Sequence, residues 1–298
     1  MSRLFLGAVL IGFAAIFVKL VGTGPTTTGF YRCAFAAIFL GGFISSRWFK
    51  SKVPMSPLCW PAEAQRLTIL AGVLFALDLF VWHRSIIYAG AGMATILGNT
   101  QVFYVSIVGI IYFQERLTLR FILAVLTAFL GLYLLINYRI GTAIEPYYWW
   151  GVGFGLATGL FYSSFILTLR RIESLALGIP TEHVVAVSSV VSALTLFFVA
   201  LCEGSLRLPQ AMEWVWLPCL ALVAQVFGWV LIMRSLPKIP ASRASLILLM
   251  QTVVAVVVGN LLFDEQLSGL QMAGALITLF SIYLGTLRSK PAPLPSPA

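Results

Sequence analysis

The stretch from Arg84 to Leu134 occurs twice, the second copy lying 150 residues after the first with no gap. Arg84-Ser85 reappears as Arg234-Ser235, Ala91 and Ala94 as Ala241 and Ala244, and Gln101 as Gln251. Gly109, Phe113, Glu115 and Leu117 reappear as Gly259, Phe263, Glu265 and Leu267, and Tyr133-Leu134 as Tyr283-Leu284. Apolar matches carry little weight in so apolar a chain. The matched Arg, Gln and Glu carry more, because such residues are scarce here. An internal repeat constrains the architecture before any single element does.

What is repeated is membrane-embedded. The 298 residues are 60% hydrophobic and 10% charged, with mean hydropathy +0.98. No soluble domain could cover such a surface with polar groups. The first twenty residues look like a signal peptide, but they lack a convincing cleavage site and further spans follow, so they are read as the first span. A bilayer core about 30 Å thick needs about 20 apolar residues per helix. Ten stretches qualify, at 3–21, 25–46, 67–88, 91–113, 118–137, 148–170, 180–202, 213–236, 240–263 and 267–287. The fold predicted is therefore all-α and integral to the membrane, with two five-helix repeats at 1–140 and 148–288 and a disordered Pro-rich tail at 289–298. Pro25, Pro180 and Pro240 fall at helix starts, where a missing N–H is harmless. Ser268 and Gln271 form a capping box for the last helix. Ala89-Gly90-Ala91-Gly92 and Pro237-Lys238-Ile239-Pro240 read as tight turns at the same place in each copy.

Lys and Arg set the orientation. With a cytoplasmic N-terminus, the inner segments hold Arg3, Arg47, Lys50, Lys52, Arg66, Arg116, Arg120, Arg170, Arg171, Arg234, Lys238, Arg243, Arg288 and Lys290. The outer segments hold only Lys19, Arg84, Arg139 and Arg207. Both termini are thus expected in the cytoplasm, in the plasma membrane or bacterial inner membrane. That distribution accounts for the net charge of +9 without invoking nucleic acid. An odd number of helices per copy then forces the second copy to cross in the opposite sense. This is an inverted repeat, the plan many secondary transporters use for alternating access around a midplane site.

The residues now assembled resemble the drug/metabolite transporter superfamily, in its ten-helix EamA-type members. The hairpins Phe113-Gln114-Glu115-Arg116-Leu117-Thr118 and Phe263-Asp264-Glu265-Gln266-Leu267-Ser268 are similar to that family's signature, once per half. Arg32 with the following apolar run is similar to its second-helix Arg. Many members carry a proline near the middle of the fourth and ninth helices. Gln101 and Gln251 occupy that region here, and no kink is assumed. The resemblance implies a cavity lined by helices 1, 3, 4, 6, 8 and 9. It also implies non-ATP export of small metabolites, often amino acids or related compounds. No GxxxxGK[ST] loop is present, in keeping with that.

Charges in the bilayer core cost about 2.5–3.5 kcal/mol each on insertion scales, so each needs a partner or a wet cavity. Asp78 lies at the middle of the third span, roughly 15 Å below the outer surface, and Arg32 lies roughly 10–12 Å deep in the second. Two readings stand: a structural ion pair, or a substrate-ammonium or proton-coupling site. Arg32 is the weaker candidate, because the second helix is not expected to line the cavity. Trp82 and Ser85 share a face with Asp78 and suit an amine or aromatic solute; an interfacial aromatic belt is the alternative for Trp82. His83 points elsewhere and reads as a satisfied interfacial residue. Asn99, Gln101 and Tyr104, with Gln251, Gln225, Trp229, Phe161 and Tyr162, complete the candidate substrate-binding set, packing being the alternative for each. Gly151, Gly155 and Gly159 form a packing stripe, and Glu115 and Glu265 read as caps at the starts of helices 5 and 10. Asp78 corresponds to Gly228, so the acid belongs to one half only.

Cys33, Cys59, Cys202 and Cys219 form no CxxC pair and read as buried thiols. No metal or cofactor is predicted. The partners expected are a small-molecule substrate and membrane lipids, with the chain a monomer or a homodimer. A lipid or lipid-linked flippase is the alternative function. A membrane enzyme is a third class, for which HExxH, GxSxG and His-rich clusters are all lacking.

Overall fold

The computed structural model describes residues 1–51, 60–115, 117–136, 147–262 and 269–287, and among these every regular element is helical. Among the described residues, nine helices are long and apolar enough to cross a membrane: α1 (Ser2–Lys19), α2 (Pro25–Ser46), α3 (Ala62–Ala89), α4 (Ala94–Ile111), α6 (Tyr148–Ser174), α7 (Thr181–Cys202), α8 (Glu213–Lys238), α9 (Ala241–Gly259) and α10 (Gly269–Thr286). A shorter apolar helix, α5 (Leu119–Leu134), completes ten. They fall where the apolar runs predict. Cys59, Arg116, Glu265, Ser268, the connection at 138–146 and the tail at 289–298 lie outside the described residues.

The packing registers establish the path of the chain. Phe75 of α3 meets Phe165 of α6, and Ser85 donates to the Gly151 carbonyl at 2.8 Å, so α3 and α6 are antiparallel. Gly98 sits against Thr158 and Glu115 against Arg170, so α4 runs parallel to α6. The chain therefore reverses between α3 and α4, as the turn expected at Ala89–Gly92 requires. The helical hydrogen-bond pattern nevertheless runs unbroken from Ala62 to Gly98, so the reversal is made by a sharp bend within a helical stretch. The glycine stripe of α6 makes the contact possible. A Cβ on Gly151 would lie 2.6 Å from the Ala89 nitrogen, and one on Gly155 2.7 Å from Leu97 and 2.8 Å from Ser85. Helices approach this closely in a bilayer where small residues line the seam.

Among the described residues, α8 is interrupted at Arg234-Ser235, α1 at Phe13, α4 at Asn99-Thr100 and α9 at Leu249. The last two are repeat mates, 150 residues apart. Across the α4 break Val102 N–H donates to the Asn99 carbonyl at 3.1 Å, and across the α9 break Thr252 N–H donates to the Leu249 carbonyl at 3.0 Å. These are the tighter i→i−3 bonds of 3₁₀ geometry. Both breaks form without proline, at positions where no kink was assumed from the sequence. A side-chain bond joins one break to the other: Asn99 Nδ2 donates to Thr252 Oγ1 at 2.9 Å. Helix α8 contains Pro218, which removes a ladder donor, and Ala221–Gly228 beyond it winds as a π-helix.

The matched arginines hold α7 at both ends. Arg84 pairs with Glu203, just past its last turn, and Arg234 pairs with Glu182 in its first turn at 2.7 Å. Glu115 caps a helix, though not the one beside it in sequence. Thr118 Oγ1 accepts from Phe121 N–H at 3.2 Å at the start of α5. The Glu115 carboxylate reaches the other repeat, where it accepts from Ala241 N–H at 2.6 Å, Ser242 N–H at 3.1 Å and Ser242 Oγ at 2.7 Å, and it pairs with Arg170 at 3.3 Å. The first turn of α9 offers Glu115 two amides with no intrahelical partner and a hydroxyl, together with the positive end of the helix dipole.

Candidate functional site

A cavity of about 160 Å³ lies among α1, α2, α3, α4, α6, α8 and α9. Its lining comes from the later residues of α1, α3 and α9 and from the earlier residues of α2, α4 and α6. Given the antiparallel order, the cavity is displaced toward the face opposite the N-terminus. On the N-terminal side it is closed by packed aromatics. Phe165 lies 4.7 Å from Trp229 and 4.8 Å from Phe75, and Tyr162 lies 5.9 Å from Trp229, centroid to centroid.

Two opposite charges stand on this wall. Asp78 projects from the middle of α3 and is 7% exposed; Arg32 projects from the first third of α2 and is 7% exposed. Among the described residues, no ion pair joins them. Arg32 Nε donates to Gln225 Oε1 at 2.9 Å, and its guanidinium lies over the Phe75 ring at 5.3 Å. Gln225 is carried by the π-helical segment of α8 and is 2% exposed. Asp78 Oδ1 has no hydrogen-bond partner, and neither has the indole nitrogen of Trp229. Trp82, Tyr162 and Trp229 supply aromatic wall, and Asn99, Thr158, Gln251 and Thr252 supply polar wall. Gln251 Nε2 donates to the Tyr162 hydroxyl at 3.1 Å.

A family model described as the EamA-like transporter family matches residues 2–137 and again 149–287. The chain belongs to the EamA-like transporter family. It is thus a multi-pass membrane transporter of the drug/metabolite type, and not an enzyme. An uncharacterized transporter of Archaeoglobus fulgidus is 25% identical over 230 residues, covering 71% of this chain and 76% of that protein. A solved crystal structure superposes with TM-score 0.77 over 96% of this chain and 98% of its own, at 16% identity, a likeness of fold alone.

In this EamA-like transporter, Asp78, Trp82, Asn99, Tyr162, Trp229 and Gln251 line the cavity. Arg32 lines it too, although α2 was not expected to contribute. The signal was available: a buried guanidinium needs an acceptor, and Gln225 is an amide oxygen in another span. The other four predicted residues lie elsewhere. Gln101 is fully buried and donates to the Ser245 carbonyl at 3.2 Å. Gln225 is occupied by Arg32. Tyr104 lies beyond the α4 break, on the stretch toward the N-terminal face. Phe161 lies 100° around α6 from Tyr162, while Thr158, one turn before Tyr162, takes the lining position. Ser85 packs against α6, and His83 is buried with Nδ1 lacking a partner, so neither behaves as a surface residue.

Proposed function

We propose that this transporter is a secondary carrier that exports amino acids or closely related amphoteric compounds by alternating access around the charged cavity. The observation that carries the reading is the pair Arg32 and Asp78, opposite charges on one cavity wall that do not pair with each other. Buried charges need compensation in a low-dielectric interior. A solute bearing both a carboxylate and an ammonium compensates each of them. The carboxylate goes to Arg32, whose planar fork suits it. The ammonium goes to Asp78, with the faces of Trp82, Tyr162 and Trp229 nearby for cation–π contact. Asn99 and Gln251 supply neutral polar contacts. A cavity of about 160 Å³ is close to the roughly 150 Å³ that accepts one benzene. The solute buried there is therefore small.

Both termini lie in the cytoplasm on this reading, as the Lys and Arg distribution requires, and the conformer described is the one biased toward the outer face. Export is the direction that the family resemblance implies. Non-ATP coupling fits a chain with no phosphate-binding loop. A thermal-shift screen of the purified protein tests the substrate class. Three probes suffice: phenylalanine, phenylalaninamide without the carboxylate, and 3-phenylpropionate without the ammonium. A ligand that binds only the folded form raises the melting temperature by mass action. The expected result is a concentration-dependent shift with phenylalanine and a smaller one with either analogue. Equal shifts for all three, or none, overturn the two-charge reading.

A further inference from the structure

The two glutamines matched by the repeat are not in matching positions, and a backbone hydrogen bond at each helix break differs with them. In α9, Leu249 N–H donates to the Leu246 carbonyl at 3.2 Å, which leaves the Ser245 carbonyl without its ladder partner. Gln101 Nε2 fills that place at 3.2 Å. In α4, the equivalent Asn99 N–H keeps its full α-helical bond to the Thr95 carbonyl at 3.1 Å. Thr95 is the repeat mate of Ser245, and Gln251 is the mate of Gln101. Gln251 bonds instead to the Tyr162 hydroxyl and, like Thr95, lines the cavity. The end of the molecule that is packed shut is the end where a glutamine ties the opposite repeat.

We propose that Gln101 and Gln251 exchange these roles during transport. In the conformer open to the N-terminal face, Gln251 Nε2 donates to the Thr95 carbonyl and Asn99 N–H moves to the Ile96 carbonyl. At the same time Gln101 leaves Ser245 for the cavity, and Leu249 N–H recovers the Ser245 carbonyl. Each conformer then contains one glutamine tie and one restored helix bond. Every backbone group in the bilayer stays satisfied on both sides of the cycle. The two states differ little in energy, as a carrier that must visit both requires. The glutamines are positioning residues: they act through the helix breaks and set which face is closed. This rests on the alternating-access reading above.

Ala255, which lines the cavity, and its mate Val105, which is fully buried, report on the two sides. Single cysteines are placed at either position in a background with Cys33, Cys59, Cys202 and Cys219 replaced, and thiol labelling rates are compared in proteoliposomes. Gln101→Met removes the present tie and keeps the volume. It is expected to raise labelling of the residue-105 reporter, and lower that of the residue-255 reporter, by about three- to fivefold, the weight of one such hydrogen bond. Gln251→Met is expected to act in the opposite sense. The double replacement returns the ratio toward that of the parent, which separates the exchange from simple loss of packing. Shifts of the same sign in the two single variants, or no shift in either, overturn the exchange. If the parent never labels at residue 105, even under a phenylalanine gradient, the alternating-access reading falls and the exchange with it. A parent that labels at both positions while the variants match it leaves transport standing and sinks the glutamine assignment.

Discussion

Replacing Glu115 by alanine removes four contacts at once, and their geometry sets the size of the effect. The carboxylate accepts from the Ala241 and Ser242 amides and from the Ser242 hydroxyl, the first turn of α9. Loss of an N-cap costs about 1 kcal/mol, and a hydrogen bond to a charged group about 1.5–3 kcal/mol. Counting the cap and the hydroxyl bond together gives about 3 kcal/mol, roughly a hundredfold in a local opening equilibrium. Arg170 is not orphaned, because its guanidinium still lies over the Phe113 ring at 4.3 Å. Hydrogen exchange of a peptide covering residues 240–248 reads the result. Its slowest amides should exchange about a hundredfold faster in Glu115→Ala. Glu115→Gln retains one acceptor oxygen and should fall between. Unchanged exchange in the alanine variant would refute the cross-repeat cap, and with it the idea that one repeat's hairpin holds the other repeat's broken helix.

Other consequences can be checked alongside. Asp78→Asn should abolish the preference for phenylalanine over 3-phenylpropionate in thermal shift. If Asp78 also carries a coupling proton, the variant's flux should lose its dependence on pH; a retained pH profile would remove Asp78 from coupling. Gln225→Leu frees Arg32 from its acceptor and should weaken phenylalanine binding by about tenfold, while leaving phenylalaninamide binding unchanged; parallel losses for both probes would contradict a role through Arg32. Gly155→Leu forces a side chain into Leu97 and Ser85 and should lower thermal stability by several degrees or prevent folding. A neutral outcome there would mean that α6 and the α3–α4 hairpin are not in contact.

Much of the fold was legible in the sequence because membrane constraints are simple. Length and apolarity mark the spans, and a repeat with an odd number of helices must invert. The candidate site was legible only in part. Asp78, Trp82 and Gln251 could be picked out as polar or aromatic groups at depth. Gln101 was placed beside Gln251 by symmetry, but Gln101 is fully buried against the Ser245 carbonyl while Gln251 lines the cavity. Arg32 was undervalued because a helix's distance from the cavity axis says nothing about how far a long side chain reaches. Glu115 was assigned to the helix that follows it, because sequence neighbours are visible and neighbours in space are not. The break at Asn99-Thr100 carries no proline signal, because no N–H is missing there: the Thr100 and Val102 amides turn instead to i→i−3 carbonyls of the same helix.

On the function proposed above, the cavity carries an amphoteric solute across the membrane without ATP. Counterflow in proteoliposomes tests it directly: vesicles loaded with unlabelled phenylalanine, no nucleotide present, and labelled phenylalanine added outside. Transient accumulation of label is expected in the parent protein, and its loss in both Arg32→Gln and Asp78→Asn. Binding without counterflow in the parent, or undiminished counterflow in both variants, would contradict it.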